Sequence, residues 1–175
     1  DRLRDIQRDY VAAGKHSVFI DLGYWNRKPL GRPYDGHHKI VIDGFQPNKQ
    51  LKSEKPPDRF EKLNISVQHC TDERGQMVLV AGMSAKAAWV YDLKPEEYEA
   101  AIIDELRNYT DRKIIYGPKP SKFQPMNSHG VKMSRADQPL ASLFRKTWCV
   151  VSHHSNIAVD AICYGIPAIC THDGA

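Results

Sequence analysis

The stretch "CVVSHHSNIAVDAICYGIPAIC", residues 149–170, decides the fold. Two apolar runs, 149–152 and 167–170, enclose a polar knot, His153-His154-Ser155-Asn156, and a small-residue segment ending at Gly165. The runs are too short for helices and predict strands, and the segment 156–165 between them predicts a helix. Strand, helix and strand in that order build a parallel sheet. The polar knot then sits at the carboxyl end of the first strand, where such sheets bind ligands.

Working outward, "MVLVAG" (77–82) is a continuous apolar run of the kind buried on both faces of a sheet. In "KPEEYEAAIIDELRNYT" (94–110), Pro95 suits a first helical turn and Glu96 and Glu97 complement its dipole. Tyr98, Ala101, Ile102, Leu106 and Tyr109 recur at helix spacing. "RKIIYGPKP" predicts a strand at 113–116 stopped by Gly-Pro, followed by an irregular loop over 118–138. "PLASLFRKT" predicts a short helix with Pro139 in its first turn. Residues 77–170 therefore alternate strand and helix. The expected fold class is α/β, a Rossmann-like parallel sheet with helices on both faces.

The first 75 residues read differently. A helix with Leu3, Ile6, Tyr10 and Val11 on one face ends at Gly14, and strands are expected at 17–22 and 38–43. Residues 24–36 are loop-like. The charged segment 46–64 reads as an exposed connection with a turn of helix near 57–63. The chain opens without Met on a charged helix and stops after a candidate strand, so the expectation is an incomplete domain that a longer polypeptide would finish.

With 175 residues the chain can bury a sizeable core. No run approaches the roughly 18 apolar residues of a membrane span. Cys70, Cys149, Cys163 and Cys170 form no C-x-x-C pair, and three lie in apolar runs, which predicts reduced core thiols in a cytoplasmic protein. The formal charge of +4 is compatible with an anionic ligand but does not specify nucleic acid. There is no P-loop and no G-x-G-x-x-G. His153, His154, His172 and Cys170 lack metal-ligand spacing, and adjacent histidines ordinarily point apart, so no metal is expected.

Ser155 is a natural N-cap for the following helix, and Ala158, Ala161 and Gly165 let that helix approach the sheet. A helix N-terminus at a strand end suits a phosphate. The alternative is that Ser155 only caps and the histidines are loop residues. Asp160, one turn in, is either a ligand contact or a carboxylate favoured by the helix dipole.

The pattern S-x-x-x-x-V-D-A-I-x-x-G-I-P-A-I resembles the donor domain of GT-B glycosyltransferases. It is most similar to their capsule-polysaccharide and Kdo-transferase-like members and to short bacteriophage proteins of that type. "TDRKIIYGPKP" (110–120), "LVAG" ahead of Trp89, "FIDLGYWNR" (19–27) and "GHHKIVIDGFQP" (36–47) extend the similarity. Asp160 stands where the family usually has Glu, and Lys119 follows the proline where a basic residue often precedes it. The resemblance implies residues 1–75 as a partial acceptor-side region and 76–175 as a nucleotide-sugar-binding domain. It implies transfer of a sugar from a nucleotide-activated donor to a glycan or a modified DNA base, without a metal or other cofactor, in a cytoplasm, that of the host if the chain is phage-encoded.

In that chemistry Lys119, His154, Ser155 and Asn156 would hold the donor phosphates, and Asp160 would meet a hydroxyl at the reacting centre. His38 would be the acceptor-side base, because imidazole titrates near neutral pH, with Arg27 and Lys39 contacting the acceptor. The competing reading is a non-catalytic nucleotide or nucleic-acid binding module. Oligomeric state is not legible.

Overall fold

A computed structural model describes residues 2–25, 36–46, 56–71, 74–119, 129–135 and 137–172. The chain divides into two compact units, residues 1–55 with Gly174 and residues 56–173 with Ala175.

The first unit holds helix α1 (Arg2–Ala12) and strands β1 (Val18–Leu22) and β2 (His38–Ile42). Gly14 ends α1 in the left-handed region (φ 67°), with its own N–H on Val11 O and the Lys15 N–H on Tyr10 O. Strands β1 and β2 pair antiparallel, Ile20 opposite Ile40. Val41 is buried on one side of this hairpin, whereas Val18, Ile20, Ile40 and Ile42 are exposed on the other.

The second unit opens with α2 (Asp58–Lys62), inside the expected helical turn. Its sheet comprises β3 (Met77–Ala81), β4 (Lys113–Gly117), β5 (Lys132–Met133), β6 (Thr147–Ser152) and β7 (Ala168–Cys170). All four strand pairings are parallel, and the order is β5-β4-β3-β6-β7. Helices α3 (Ala85–Val90), α4 (Pro95–Arg107), α5 (Leu140–Phe144) and α6 (Ile157–Cys163) connect the strands.

Alternation along each strand builds two cores. Val78, Val80, Ile114, Tyr116, Cys149 and Val151 pack with Ile103 of α4 on one face. Leu79, Ile115 and Val150 pack with Leu143 and Phe144 of α5 and Ala161 of α6 on the other. The α/β class with a parallel sheet covered by helices on both faces is thus as expected.

Four details depart from expectation. The 118–138 segment contains β5, two residues whose strand character comes from pairing with Ile115 and Tyr116 rather than from any local pattern. Helix α3 was not anticipated; Ser84 caps it by accepting the Ala87 N–H at 3.2 Å. The buried stripe of α4 is centred on Glu99 and Ile103, whereas Ala101 and Tyr109 of the expected stripe are exposed. Of the four thiols only Cys149 is buried, and Cys70 and Cys170 are exposed although unpaired.

Between β3 and β6 the register slips by one residue: Met77 faces Thr147 and Val78 faces Cys149. Trp148 is the residue passed over. The bulge turns it to the α4 face, where it packs beside the cluster containing Cys149 instead of alternating away.

Candidate functional site at the carboxyl edge of the sheet

Strand β3 is central and first in the sheet's chain order, with β4 on one side and β6 on the other. The chain leaves β3 toward α4 on one face and leaves β6 toward α6 on the opposite face. Loops that diverge in this way open a crevice between neighbouring strand ends, the usual ligand position in open α/β sheets. Gly82 and Met83, Pro118 and Lys119, His153 to Asn156, and Thr171 and His172 follow the ends of β3, β4, β6 and β7.

Gly82 allows the ends of β3 and β4 to close on each other. A methyl group there would lie 2.8 Å from Tyr116 Oη and 2.9 Å from the Lys119 nitrogen. The Gly82 N–H instead donates to Gly117 O at 2.8 Å. Lys119 therefore emerges beside the β3 terminus, with its side chain exposed. Residues 153–156 emerge on the other side of β3, about 10 Å away at two strand spacings.

Beneath the loop lies Glu99, 2 % exposed. Its Oε1 accepts the Met83 N–H at 2.5 Å, and its Oε2 accepts the Tyr116 hydroxyl at 2.6 Å and lies 3.1 Å from His129 Nε2. A buried carboxylate persists where donors satisfy it, and here three surround it. Burial, then the adjacent Glu99, drives the Tyr116 phenol's pKa up.

Beyond β6 the two histidines converge rather than pointing apart. His153 and His154 meet through their Nδ1 atoms, and their ring centroids are 4.7 Å apart. His172 stacks in at 4.8 Å from His153, and Tyr91 joins at 4.4 Å from His172 and 5.0 Å from His153. Tyr98 packs edge-on against His153 at 5.3 Å and bonds Thr171 through its hydroxyl. Among the described residues the buried Tyr91 hydroxyl has no hydrogen-bond partner, and burial raises its pKa to about 12. Packing inside this ring cluster is what overrides the divergence of adjacent side chains. No group of three or more His, Cys, Asp or Glu side chains among the described residues is arranged to hold a metal ion.

Burial, with a smaller contribution from the charge of His172, lowers the His153 pKa to about 4. The imidazole is neutral at pH 7 and serves as a ring in the cluster rather than as a cation. Its folded pKa lies below the unfolded value, so between pH 6.5 and 4 the unfolded chain binds the extra proton. This stabilising term is whole above pH 6.5 and is lost as the pH falls toward 4, with a slope of up to about 1.4 kcal/mol per unit. Thermal midpoints measured across that window should fall steeply for the native protein and more gently for His153→Phe.

Ser155 does not cap α6. The cap position is Asn156, in helical conformation and without a side-chain bond, while the Ser155 N–H turns back to Ser152 Oγ at 3.4 Å. The helix starts one residue later than expected because Ser152 satisfies that amide. Among the described residues the amides of Asn156 and Ile157 have no acceptor, so two donors remain at the strand end. Asp160 lies in the first turn of α6, half-buried, with its charge helping to raise the Cys163 pKa after burial, the larger cause.

In the first unit His38 is exposed at the start of β2, paired with Leu22. Lys39 Nζ donates to Phe45 O at 3.0 Å and Gln46 Oε1 at 3.1 Å and lies 5.8 Å from the Phe19 ring centre. Arg27 lies outside the described residues. The structure thus brings Lys119, His154, Ser155, Asn156 and Asp160 to one sheet edge, with His38 and Lys39 in the other unit.

Sequence reasoning missed Gly82, Tyr91, Tyr98, Glu99 and His129, and weighed His172 only as a metal ligand. Ser84 two residues after a strand glycine was a usable signal for the β3–α3 turn, but nothing local marks Glu99 or the ring cluster.

No protein-family model matches the chain, and no curated protein matches it. Among the described residues no helix is long and apolar enough to cross a membrane.

Proposed function

We propose that the second unit binds the nucleotide part of a nucleotide-activated sugar at this carboxyl edge, and that the protein is a GT-B-like glycosyltransferase acting on a glycan or a modified DNA base. The observation that carries the reading is the strand order, which makes the β3–β6 junction the point where connections reverse direction. Lys119 and the free amides of Asn156 and Ile157 supply positive charge and donors on either side of it, with Ser155 and His154 between. Transfer would join the acceptor oxygen to the anomeric carbon. The bond to the donor phosphate would break with its electrons leaving on the nucleotide, and an acceptor-side base would take the hydroxyl proton. Asp160 would orient a sugar or ribose hydroxyl. No metal or other cofactor enters this reading.

A non-catalytic nucleotide-binding module is the second reading. It is favoured by Lys39, whose ammonium is already engaged with Phe45 and Gln46.

The test is a thermal-shift panel of UDP, CMP, GDP, dTDP and ADP. One nucleotide should raise the midpoint, and Lys119→Ala and Ser155→Ala should each weaken its binding roughly tenfold or more, the worth of a bond to a charged group. The best nucleotide's sugar conjugate is then assayed for release of free nucleotide with and without acceptor. Binding without turnover selects the module, and no shift by any nucleotide removes both readings.

A further inference from the structure

The opposite edge of the same sheet has a different chemistry. Met77 at the start of β3 is flanked by Lys113 at the start of β4 and Thr147 at the start of β6. With strands about 4.8 Å apart, the segments 74–77, 111–113 and 145–147 converge within a few side-chain lengths. Together they carry Arg74, Arg112, Lys113, Arg145 and Lys146 against one carboxylate, Asp111. Asp72 and Glu73 precede Arg74 in the sequence and lie outside the described residues. Lys113, Arg145 and Lys146 are exposed, and no ion pair holds them among the described residues.

Two of the guanidiniums are fixed. Arg112 lies 4.5 Å and Arg74 5.2 Å from the Trp148 ring centre, and Arg112 Nη1 donates to Gln76 Oε1 at 2.6 Å. The β-bulge that aims Trp148 at this face is what creates the stack. Held over an indole, an arginine loses little further freedom on binding a phosphate. Beside them runs an open groove of about 730 Å³, lined by Gln76, Arg107, Tyr109, Asp111, Arg112 and Lys113 among others. Tyr109 lies in it 78 % exposed, its hydroxyl bonded to the Glu105 carboxylate and its ring faces open beside Arg107, Arg112 and Lys113.

We propose that this amino-terminal edge binds single-stranded nucleic acid, the phosphates meeting Arg74, Arg112, Lys113, Arg145 and Lys146 and a base stacking on Tyr109. Cations alone would fit any polyanion, and the exposed ring is what selects a ligand with unstacked bases. A duplex hides those faces, and a lipid surface offers no base to the exposed ring. The site lies roughly 16 Å from the carboxyl edge, the length of a five-residue strand, and does not depend on the nucleotide reading.

The experiment is fluorescence anisotropy with a labelled oligothymidylate of about 12 nucleotides, titrated at several salt concentrations. The native protein should bind with an affinity that falls with salt. Arg145→Gln with Lys146→Gln, both at exposed positions, should lower the salt slope by about 0.7 per cation removed. Tyr109→Ala should weaken binding roughly tenfold with the slope retained, because stacking carries no counterion release. Lys119→Ala should leave this binding unchanged, which separates it from the carboxyl edge. Thermal midpoints near the native value confirm that the variants are folded. The proposal is overturned by absence of binding at low salt, by indifference to Tyr109→Ala, or by equal affinity for a matched duplex or for phosphatidylserine vesicles.

Discussion

Glu99→Ala should cost roughly 3–6 kcal/mol of folding stability, because it strips the acceptor from three buried donors at once. The Met83 N–H, the Tyr116 hydroxyl and His129 all converge on this carboxylate. None has a route to solvent: Tyr116 is buried, and the His129 side chain is 3 % exposed. Each stranded donor forfeits its desolvation cost, and the missing side chain leaves a cavity beside Gly82. Against a total stability of about 5–15 kcal/mol, this is enough to leave the second unit only marginally folded. The check is urea unfolding, with a lower midpoint at unchanged slope. Tyr116→Phe removes one donor along with its need for an acceptor, so in the Glu99→Ala background it should recover part of the loss. Strict additivity of the two changes would show that the network has no such coupling.

Gly75→Ala should be comparably severe, about 3 kcal/mol or more, although it adds one carbon. That carbon would fall 1.9 Å from the carbonyl carbon of Lys146, 2.2 Å from its oxygen and 2.4 Å from the Thr147 nitrogen. These are backbone atoms, so no rotamer change relieves the overlap. Relief requires separating the first residues of β3 and β6, which gives up the Met77 N–H bond to Lys146 O (3.0 Å) and the bulge that places Trp148. Hydrogen exchange localises the damage: the Met77 amide should lose protection first, while amides of the β3–β4 ladder keep theirs longer. Uniform loss along β3 would mean that the bulge is not the weak point.

How much of this was legible depends on the range over which each feature is specified. The strand–helix–strand at 149–170 was readable because uninterrupted apolar runs and an intervening block of small residues are local signals. Helix α4 was readable for the same reason, through Pro95 and the glutamates of its first turn. Strand β5 was not, because Lys132 and Met133 become a strand only by lying against β4. Glu99 was not singled out because a glutamate on an amphipathic helix reads as solvated. Its partners stand 16, 17 and 30 residues away, a distance over which no spacing rule operates. The position of Ser155 at a strand end was legible, but its failure to cap α6 was not. Whether a serine caps depends on which amide its neighbour Ser152 has already taken.

The central place of β3 also bears on how the chain is made. On the ribosome β3 emerges first of the five parallel strands, yet it must receive partners on both edges. Its first β6 partner, Thr147, is translated about 70 residues after Met77. At synthesis rates of about 5–20 residues per second, that edge waits roughly 4–14 s with Val78, Leu79 and Val80 unpaired. Pairing with β4 can begin sooner, so the nascent domain grows from one side. During that interval its β6-facing edge is an adhesive surface, and a chaperone that shields extended apolar segments would have its greatest influence there.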